Sequence, residues 1–195
     1  MHINIPNGLT LTRIVLIPVL AVAYYLPLPW GHQAAAWIFV AAAITDWLDG
    51  FMARYLNQYS AFGAFLDPVA DKLVVSVALV MLVADPAIQH AVFSKIAFVL
   101  VVATIIGREI TISALREWMA ELGNRTSVAV NRLGKVKTTL QMAAIIVLLY
   151  EPATADSLLF RAGEMALYLA GSLTLWSMVA YWRAAKVVLQ AESKL

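Results

Sequence analysis

Apolar residues along this chain fall into long runs that short polar stretches interrupt. A transmembrane helix needs about 20 mainly apolar residues, and six runs reach roughly that length. Strand-like alternation is absent, and only helices or closed barrels satisfy their backbone hydrogen bonds in lipid. The pattern therefore predicts an all-α membrane protein with six transmembrane helices, forming a single catalytic domain over residues 1–195. The predicted spans are approximately 9–28, 33–55, 63–84, 92–118, 134–150 and 158–184, and turn signals between them include Pro27, Pro29 and Gly31, and Asp85 with Pro86. The stretch from Arg183 to Leu195 is expected to be a short surface helix or tail.

The composition points to the same class of protein. Apolar residues make up 62% of the chain and charged residues 13%, against about 45–50% and about 25% in typical soluble proteins. The absence of cysteine excludes disulfides, zinc thiolates and cysteine nucleophiles. A net charge of +2 does not suggest a nucleic-acid partner, which usually needs a clustered basic face.

The basic residues predict the orientation in the membrane. Met1 to Pro6 lacks a basic region and no clear cleavage site follows, so the first apolar run is expected to be a retained transmembrane helix. With the N-terminus in the cytoplasm, only Lys95 and Arg161 of the 14 Lys and Arg residues lie near outer helix ends. Cytoplasmic loops carry the excess of Lys and Arg, so both termini are predicted to be cytoplasmic.

Four aspartates lie at the predicted cytoplasmic ends of the second and third spans. At about 100° per residue, Asp46 and Asp49 share one helix face, and Asp67 and Asp71 share a face of the next helix. The short connection makes these helices antiparallel neighbours, so the four carboxylates are predicted to converge across one helix–helix seam.

Four carboxylates in a partly dry cleft repel one another and need protons, cations or metal. Arg54 and Lys72, the cations within the motif, are too few to neutralise them. Oxygen ligands without His or Cys favour Mg²⁺ or Mn²⁺, and four carboxylates suit two such ions. A purely structural salt-bridge network is the less favoured interpretation, because ionisable groups within spans are rarely idle.

Small residues accompany the aspartates. Gly50, Ala53 and Gly63 would let the helices approach closely and leave room for a bulky ligand. Plain helix packing explains Gly63 equally well.

The complete spacing, D-x2-D-G-x2-A-R-x8-G-x3-D-x3-D from Asp46 to Asp71, resembles the signature of the CDP-alcohol phosphotransferase family. All eight fixed residues over 26 positions match. Segments 4–13, 107–118 and 134–138 are similar to the glycerol-phosphate branch of that family, and the likeness covers about residues 3–185.

The resemblance implies a bacterial inner-membrane enzyme of phospholipid biosynthesis, usually a homodimer, with its active site facing the cytoplasm. It implies transfer of the phosphatidyl group from CDP-diacylglycerol to glycerol 3-phosphate, giving phosphatidylglycerophosphate and CMP. Asp46, Asp49 and Asp67 would be metal ligands, and Asp71 would lie at the metal site and act as general base. The residues expected to contact the CDP-lipid are Asn7, Thr10, Asp49, Gly50, Ala53, Arg54 and Gly63.

The acceptor carries a phosphate and needs cations. Arg108 lies within the fourth span, where an ionised side chain is costly. Lys135 and Lys137 begin the fifth span, where helix amides also favour an anion. These three residues, with Arg116, are the predicted acceptor-phosphate pocket. The alternative for Arg116, Lys135 and Lys137 is that they only obey the positive-inside rule or contact anionic lipid. Glu109 and Glu117 could pair with neighbouring arginines and need no further role.

Two other functions stay open at this point. The first is the same chemistry with another acceptor, such as inositol phosphate, serine or a second phospholipid. The second is a cation transporter whose carboxylates line an ion pathway. A pathway should be polar through the full membrane depth, whereas the outer halves of the spans around Val22, Phe39 and Val80 are almost wholly apolar.

Overall fold

The computed structural model describes the backbone of residues 5–56, 61–121 and 132–192, and side chains within 8–46, 68–119 and 136–179 with a few gaps. In these ranges the chain forms seven helices and no strand, which confirms the all-α prediction. The helices are α1 (Ile5–Tyr25), α2 (Gly31–Leu56), α3 (Ala61–Ala84), α4 (Pro86–Ala91), α5 (Lys95–Glu121), α6 (Arg132–Tyr150) and α7 (Leu158–Glu192).

The six long helices coincide with the six predicted spans, with shifted ends. By length and composition, two stretches of the described chain qualify as membrane-spanning helices, Gly8–Tyr25 and Lys95–Met119. A shorter apolar helical stretch covers Val136–Tyr150. Large apolar side chains such as Val22 on α1 and Trp176 on α7 are exposed, which suits a lipid environment.

Two features differ from the sequence-based expectation. The predicted turn at Asp85 and Pro86 is followed by the short helix α4, which is too brief for its periodicity to be read from the sequence. Asp85 caps it, because its Oδ1 accepts a hydrogen bond from the Ala87 backbone N–H at 2.7 Å, and Pro86 occupies the first helical position. The predicted surface helix or tail from Arg183 is instead a direct continuation of α7 to Glu192.

The chain divides into two compact units. The first comprises Met1–Ala91 with Ile145–Arg161, and the second comprises Val92–Ala144 with Ala162–Leu195. In the first unit, α1 contacts both α2 and α3, and α2 contacts α3 as the short connection predicts.

The turn between α1 and α2 depends on a glycine. A Cβ atom on Gly31 would lie 2.9 Å from the carbonyl oxygen of Ala23 and 3.1 Å from that of Leu26. Backbone oxygens cannot give way as a flexible side chain would, so the close return of the chain requires this residue. The sequence predicted this turn from Pro27, Pro29 and Gly31.

In the second unit, α5 and α7 meet at another glycine. A Cβ atom on Gly171 would lie 2.7 Å from Cγ1 of Val101, so the α7 backbone rests directly against that side chain. Near the beginning of α5, Glu164 of α7 accepts hydrogen bonds from the Phe93 backbone N–H at 2.7 Å and the Tyr168 hydroxyl at 2.8 Å.

Candidate functional site

The buried face of α2 carries the first aspartate of the signature. Ala35, Phe39 and Ala42 are buried at helical spacing, and Asp46 continues the same row one turn later. Because this row contains small residues, α1 can pack closely against it. The Asp46 side chain itself is 46% exposed.

An arginine of α1 contacts that carboxylate. Nη1 of Arg13 lies 2.9 Å from Oδ1 of Asp46, and the Arg13 side chain is only 1% exposed. Arg13 belongs to the buried row of α1 that also contains Thr10, Leu20 and Tyr24. From the sequence, Arg13 is only one of the basic residues near cytoplasmic helix ends, and its contact with Asp46 is not predicted. The available signal was its position inside an apolar run, four residues after the predicted beginning of the span.

The other described aspartate of the signature is Asp71. It is exposed on α3, directly after the buried Ala70. Thr10, predicted to contact the CDP-lipid, is fully buried on α1 three residues before Arg13.

The following side chains lie outside the described residues: Asn7, Asp49, Gly50, Ala53, Arg54, Gly63, Asp67, Arg116 and Lys135. Among the side chains that are described, no three His, Asp or Glu residues lie together as a metal-binding group would. The predicted convergence of the four aspartates therefore stays a prediction.

The donor chemistry of the described part fits a hard cation. Asp46 offers a carboxylate that is half exposed, and one of its oxygens lies beside Arg13. Oxygen ligands of this kind are preferred by Mg²⁺ and Mn²⁺. Asp46 would be one of the residues that hold such ions.

A second polar cluster lies in the second unit and contains two of the predicted phosphate-binding residues. Oε1 of Glu109 accepts hydrogen bonds from Nη1 of Arg108 at 3.1 Å and from Nζ of Lys137 at 2.5 Å. Nη2 of Arg108 also donates to Oγ of Ser177 at 3.1 Å. Arg108 and Lys137 are 6% and 2% exposed, whereas Glu109 is 29% exposed. We call these four residues the α5–α7 cluster.

The contacts of Glu109 in the α5–α7 cluster include one that the sequence predicted and one that it did not. Glu109 was expected to pair with a neighbouring arginine, and it does so with Arg108. The pairing with Lys137, 28 residues away, could not be read from local spacing. One turn after Lys137, the side chain of Gln141 is also buried, and its Oε1 has no hydrogen-bond partner among the described residues.

The chain matches the CDP-alcohol phosphatidyltransferase family over residues 3–184. It belongs to that family, as the complete aspartate signature predicts. It is similar to three bacterial proteins named CDP-diacylglycerol–glycerol-3-phosphate 3-phosphatidyltransferase. They come from Sodalis glossinidius (52% identical), Pectobacterium atrosepticum (53%) and Escherichia coli K12 (51%). Each match covers 186 residues, which is 95% of this chain and 97% of the relative.

Proposed function

We propose that this chain is the membrane enzyme that transfers a phosphatidyl group from CDP-diacylglycerol to glycerol 3-phosphate. The observation that carries this proposal is the likeness, at 51–53% identity over nearly the whole chain, to proteins named for that reaction. The products are phosphatidylglycerophosphate and CMP, so the enzyme serves phospholipid biosynthesis. No observation favours the cation transporter.

In this reaction the 1-hydroxyl oxygen of glycerol 3-phosphate attacks the phosphorus that bears the lipid. A new phosphorus–oxygen bond forms, and the bond from that phosphorus to the CMP phosphate oxygen breaks. The leaving CMP takes up the negative charge, and the hydroxyl proton goes to a base. Catalysis of such transfers consists mainly of positioning the reactants and stabilising this charge.

Asp46, Asp49 and Asp67, with Asp71 beside them, would hold the divalent cations, Mg²⁺ or Mn²⁺ and two in number. When bound, such ions neutralise charge on the diphosphate and align the displacement. Support for the role of Asp46 comes from its half-exposed carboxylate on the α2 face that packs against α1.

Asp71 would accept the hydroxyl proton. Its exposure on α3 supports this role, because a base must be within reach of the incoming alcohol. Asp67 precedes it by one helical turn, so one carboxylate can hold metal while the other faces the acceptor.

The CDP-lipid would lie against Asn7, Thr10, Asp49, Gly50, Ala53 and Gly63, with Arg54 contacting a phosphate. The acceptor phosphate would bind to Arg108 and Lys137, assisted by Lys135 and Arg116. Support for the last assignment is that Arg108 and Lys137 already contact the same carboxylate oxygen of Glu109. Two cations that share one anionic oxygen are close enough to contact a single phosphate group.

The setting of the reaction is the bacterial inner membrane. We propose six spans, with both termini and the active site on the cytoplasmic side, and a homodimer. The excess of Lys and Arg at one set of helix ends supports this orientation.

The test is an assay of CMP release by purified protein with CDP-diacylglycerol as donor. Glycerol 3-phosphate, serine, inositol and inositol phosphate are offered in turn, with Mg²⁺, Mn²⁺ or excess chelator. We expect turnover with glycerol 3-phosphate and a divalent ion, and no turnover with chelator. Consumption of another acceptor in place of glycerol 3-phosphate would overturn the acceptor assignment, and full activity in chelator would overturn the metal assignment.

Asp71→Asn tests the base in the same assay. The variant should lose CMP release while still binding CDP-diacylglycerol, because the amide cannot accept the proton yet keeps the shape of the side chain. Turnover close to that of the parent protein would remove Asp71 from this role.

A further inference from the structure

Arg13 is a charged side chain buried in the apolar part of α1. It lies in the candidate span Gly8–Tyr25 and is 1% exposed, so it is not presented to water or to lipid head groups. The positive-inside rule concerns basic residues near the membrane surface and does not account for such burial. Some other requirement places a permanent positive charge at this position.

Stability alone is a weak reason for the ion pair. Removing an arginine from water costs free energy that its partner often does not fully return, and well-packed apolar side chains commonly replace buried pairs without loss. The partner here is also half exposed, which weakens the attraction further. Intramembrane charges are, by contrast, usually functional and paired with a specific residue.

The geometry points to Arg13 as a positioning residue for Asp46, and this inference rests on the proposed function. The ion pair places one carboxylate oxygen of Asp46 2.9 Å from a side chain that the surrounding helix packing encloses. This contact would restrain the side chain of Asp46 and leave its other oxygen to the ion. Groups that orient metal ligands commonly change metal affinity or activity by about 10–100-fold when they are removed.

Arg13 has a second effect on the same carboxylate. A guanidinium stays protonated at every physiological pH. Its fixed positive charge offsets part of the repulsion among the signature aspartates before any ion binds. Asp46 can therefore be held in its binding orientation in the metal-free protein, which lowers the reorganisation needed when the ion arrives.

The experiment measures Mn²⁺ binding to the full-length purified protein by electron paramagnetic resonance, without substrate. The variants are Arg13→Gln and Arg13→Lys. The matched control is Tyr24→Phe, which removes a buried polar contact from the same face of α1, the 2.6 Å hydrogen bond to Asp85. We expect Arg13→Gln to raise the Kd for Mn²⁺ by about 10–100-fold, Arg13→Lys to recover part of the loss, and Tyr24→Phe to bind as the parent protein does.

Kinetics separate positioning from general damage to the fold. At limiting Mn²⁺, Arg13→Gln should lower kcat while the KM for glycerol 3-phosphate changes by less than about twofold. In an Asp46→Asn background, Arg13→Gln should weaken Mn²⁺ binding no further, because the group it positions is already altered. Should Arg13→Gln fail to fold, the intermediate Mn²⁺ affinity expected of Arg13→Lys provides the same test.

Unchanged Mn²⁺ affinity in a folded Arg13 variant would overturn the inference. So would an equal further loss in the Asp46→Asn background, or an equal loss in Tyr24→Phe. The proposed function fails by a different result, the absence of CMP release from the parent protein with glycerol 3-phosphate, which leaves the Mn²⁺ titrations interpretable.

Discussion

Asp46 and Asp85 both connect α1 to another part of the first unit, but the protein uses their carboxylates differently. Asp85 is 8% exposed, and both of its oxygens are engaged, Oδ2 by the Tyr24 hydroxyl and Oδ1 by the Ala87 N–H. Asp46 has its Oδ1 on Arg13 and remains 46% exposed. A buried carboxylate whose oxygens are both hydrogen-bonded stabilises the fold, whereas one held by a single oxygen at an exposed position is available to a ligand.

Glu109 is intermediate between Asp46 and Asp85 in the exposure of its carboxylate. It is 29% exposed, and its Oε1 contacts two cations of the α5–α7 cluster. The comparison therefore predicts three kinds of response to mutation: loss of activity at Asp46, loss of stability at Asp85, and an anion-dependent loss of stability at Glu109.

Asp46→Asn should give the largest effect. The amide presents one carbonyl oxygen and no charge to the ion, so kcat/KM should fall by more than about 100-fold, the upper end of what supporting residues contribute. Thermal unfolding in detergent should also shift downward, because the neutral amide leaves the buried Arg13 guanidinium without its anion, so activity is compared per folded protein. CMP release and circular dichroism measure the two quantities. Near-normal activity would remove Asp46 from the metal site.

Asp85→Ala should mainly lower stability and leave activity nearly unchanged. It leaves the buried Tyr24 hydroxyl without its acceptor, at a cost of about 1–3 kcal/mol, and it removes the cap of α4, at about 0.5–2 kcal/mol. The midpoint of thermal unfolding should drop clearly, while kcat of the folded fraction stays within about threefold of the parent protein. A selective loss of kcat would contradict the structural role of Asp85.

Some features of these sites could be predicted from the sequence alone, and others could not. The helices, the turn before Gly31 and the family signature could be predicted, because apolar runs, turn residues and fixed spacings are local properties. The burial of Arg13 could not, since it depends on which face of α1 packs against α2. The same holds for Lys137 and Glu109, which meet only when α5 and α6 pack. The role of Asp85 was hidden because its partner Tyr24 is 61 residues away.

Glu109→Ala tests whether the α5–α7 cluster serves stability alone or also binds the acceptor phosphate. It removes the anion that Arg108 and Lys137 share, so the two buried cations repel each other and stability should fall by about 1–3 kcal/mol. If the acceptor phosphate binds these cations, glycerol 3-phosphate should raise the unfolding midpoint of this variant more than that of the parent protein. Glycerol without phosphate is the control. Equal shifts with both ligands would assign the α5–α7 cluster to structure alone.

Tyr24→Phe should give the smallest loss of stability. It tests the comparison of Asp46 with Asp85 by removing the donor of the hydrogen bond to Asp85. The ring stays in place against His32, 4.5 Å away between centroids, so packing is preserved and only the hydroxyl is lost. One oxygen of the buried Asp85 then lacks its donor, which costs about 1–3 kcal/mol, while the cap of α4 remains. The unfolding midpoint should therefore fall less than in Asp85→Ala. The variant that carries both Tyr24→Phe and Asp85→Ala should lose less stability than the sum of the two single losses, because the residues are in contact. Additive losses would mean that Tyr24 and Asp85 act independently, and the contrast between a fully engaged Asp85 and a partly engaged Asp46 would no longer hold.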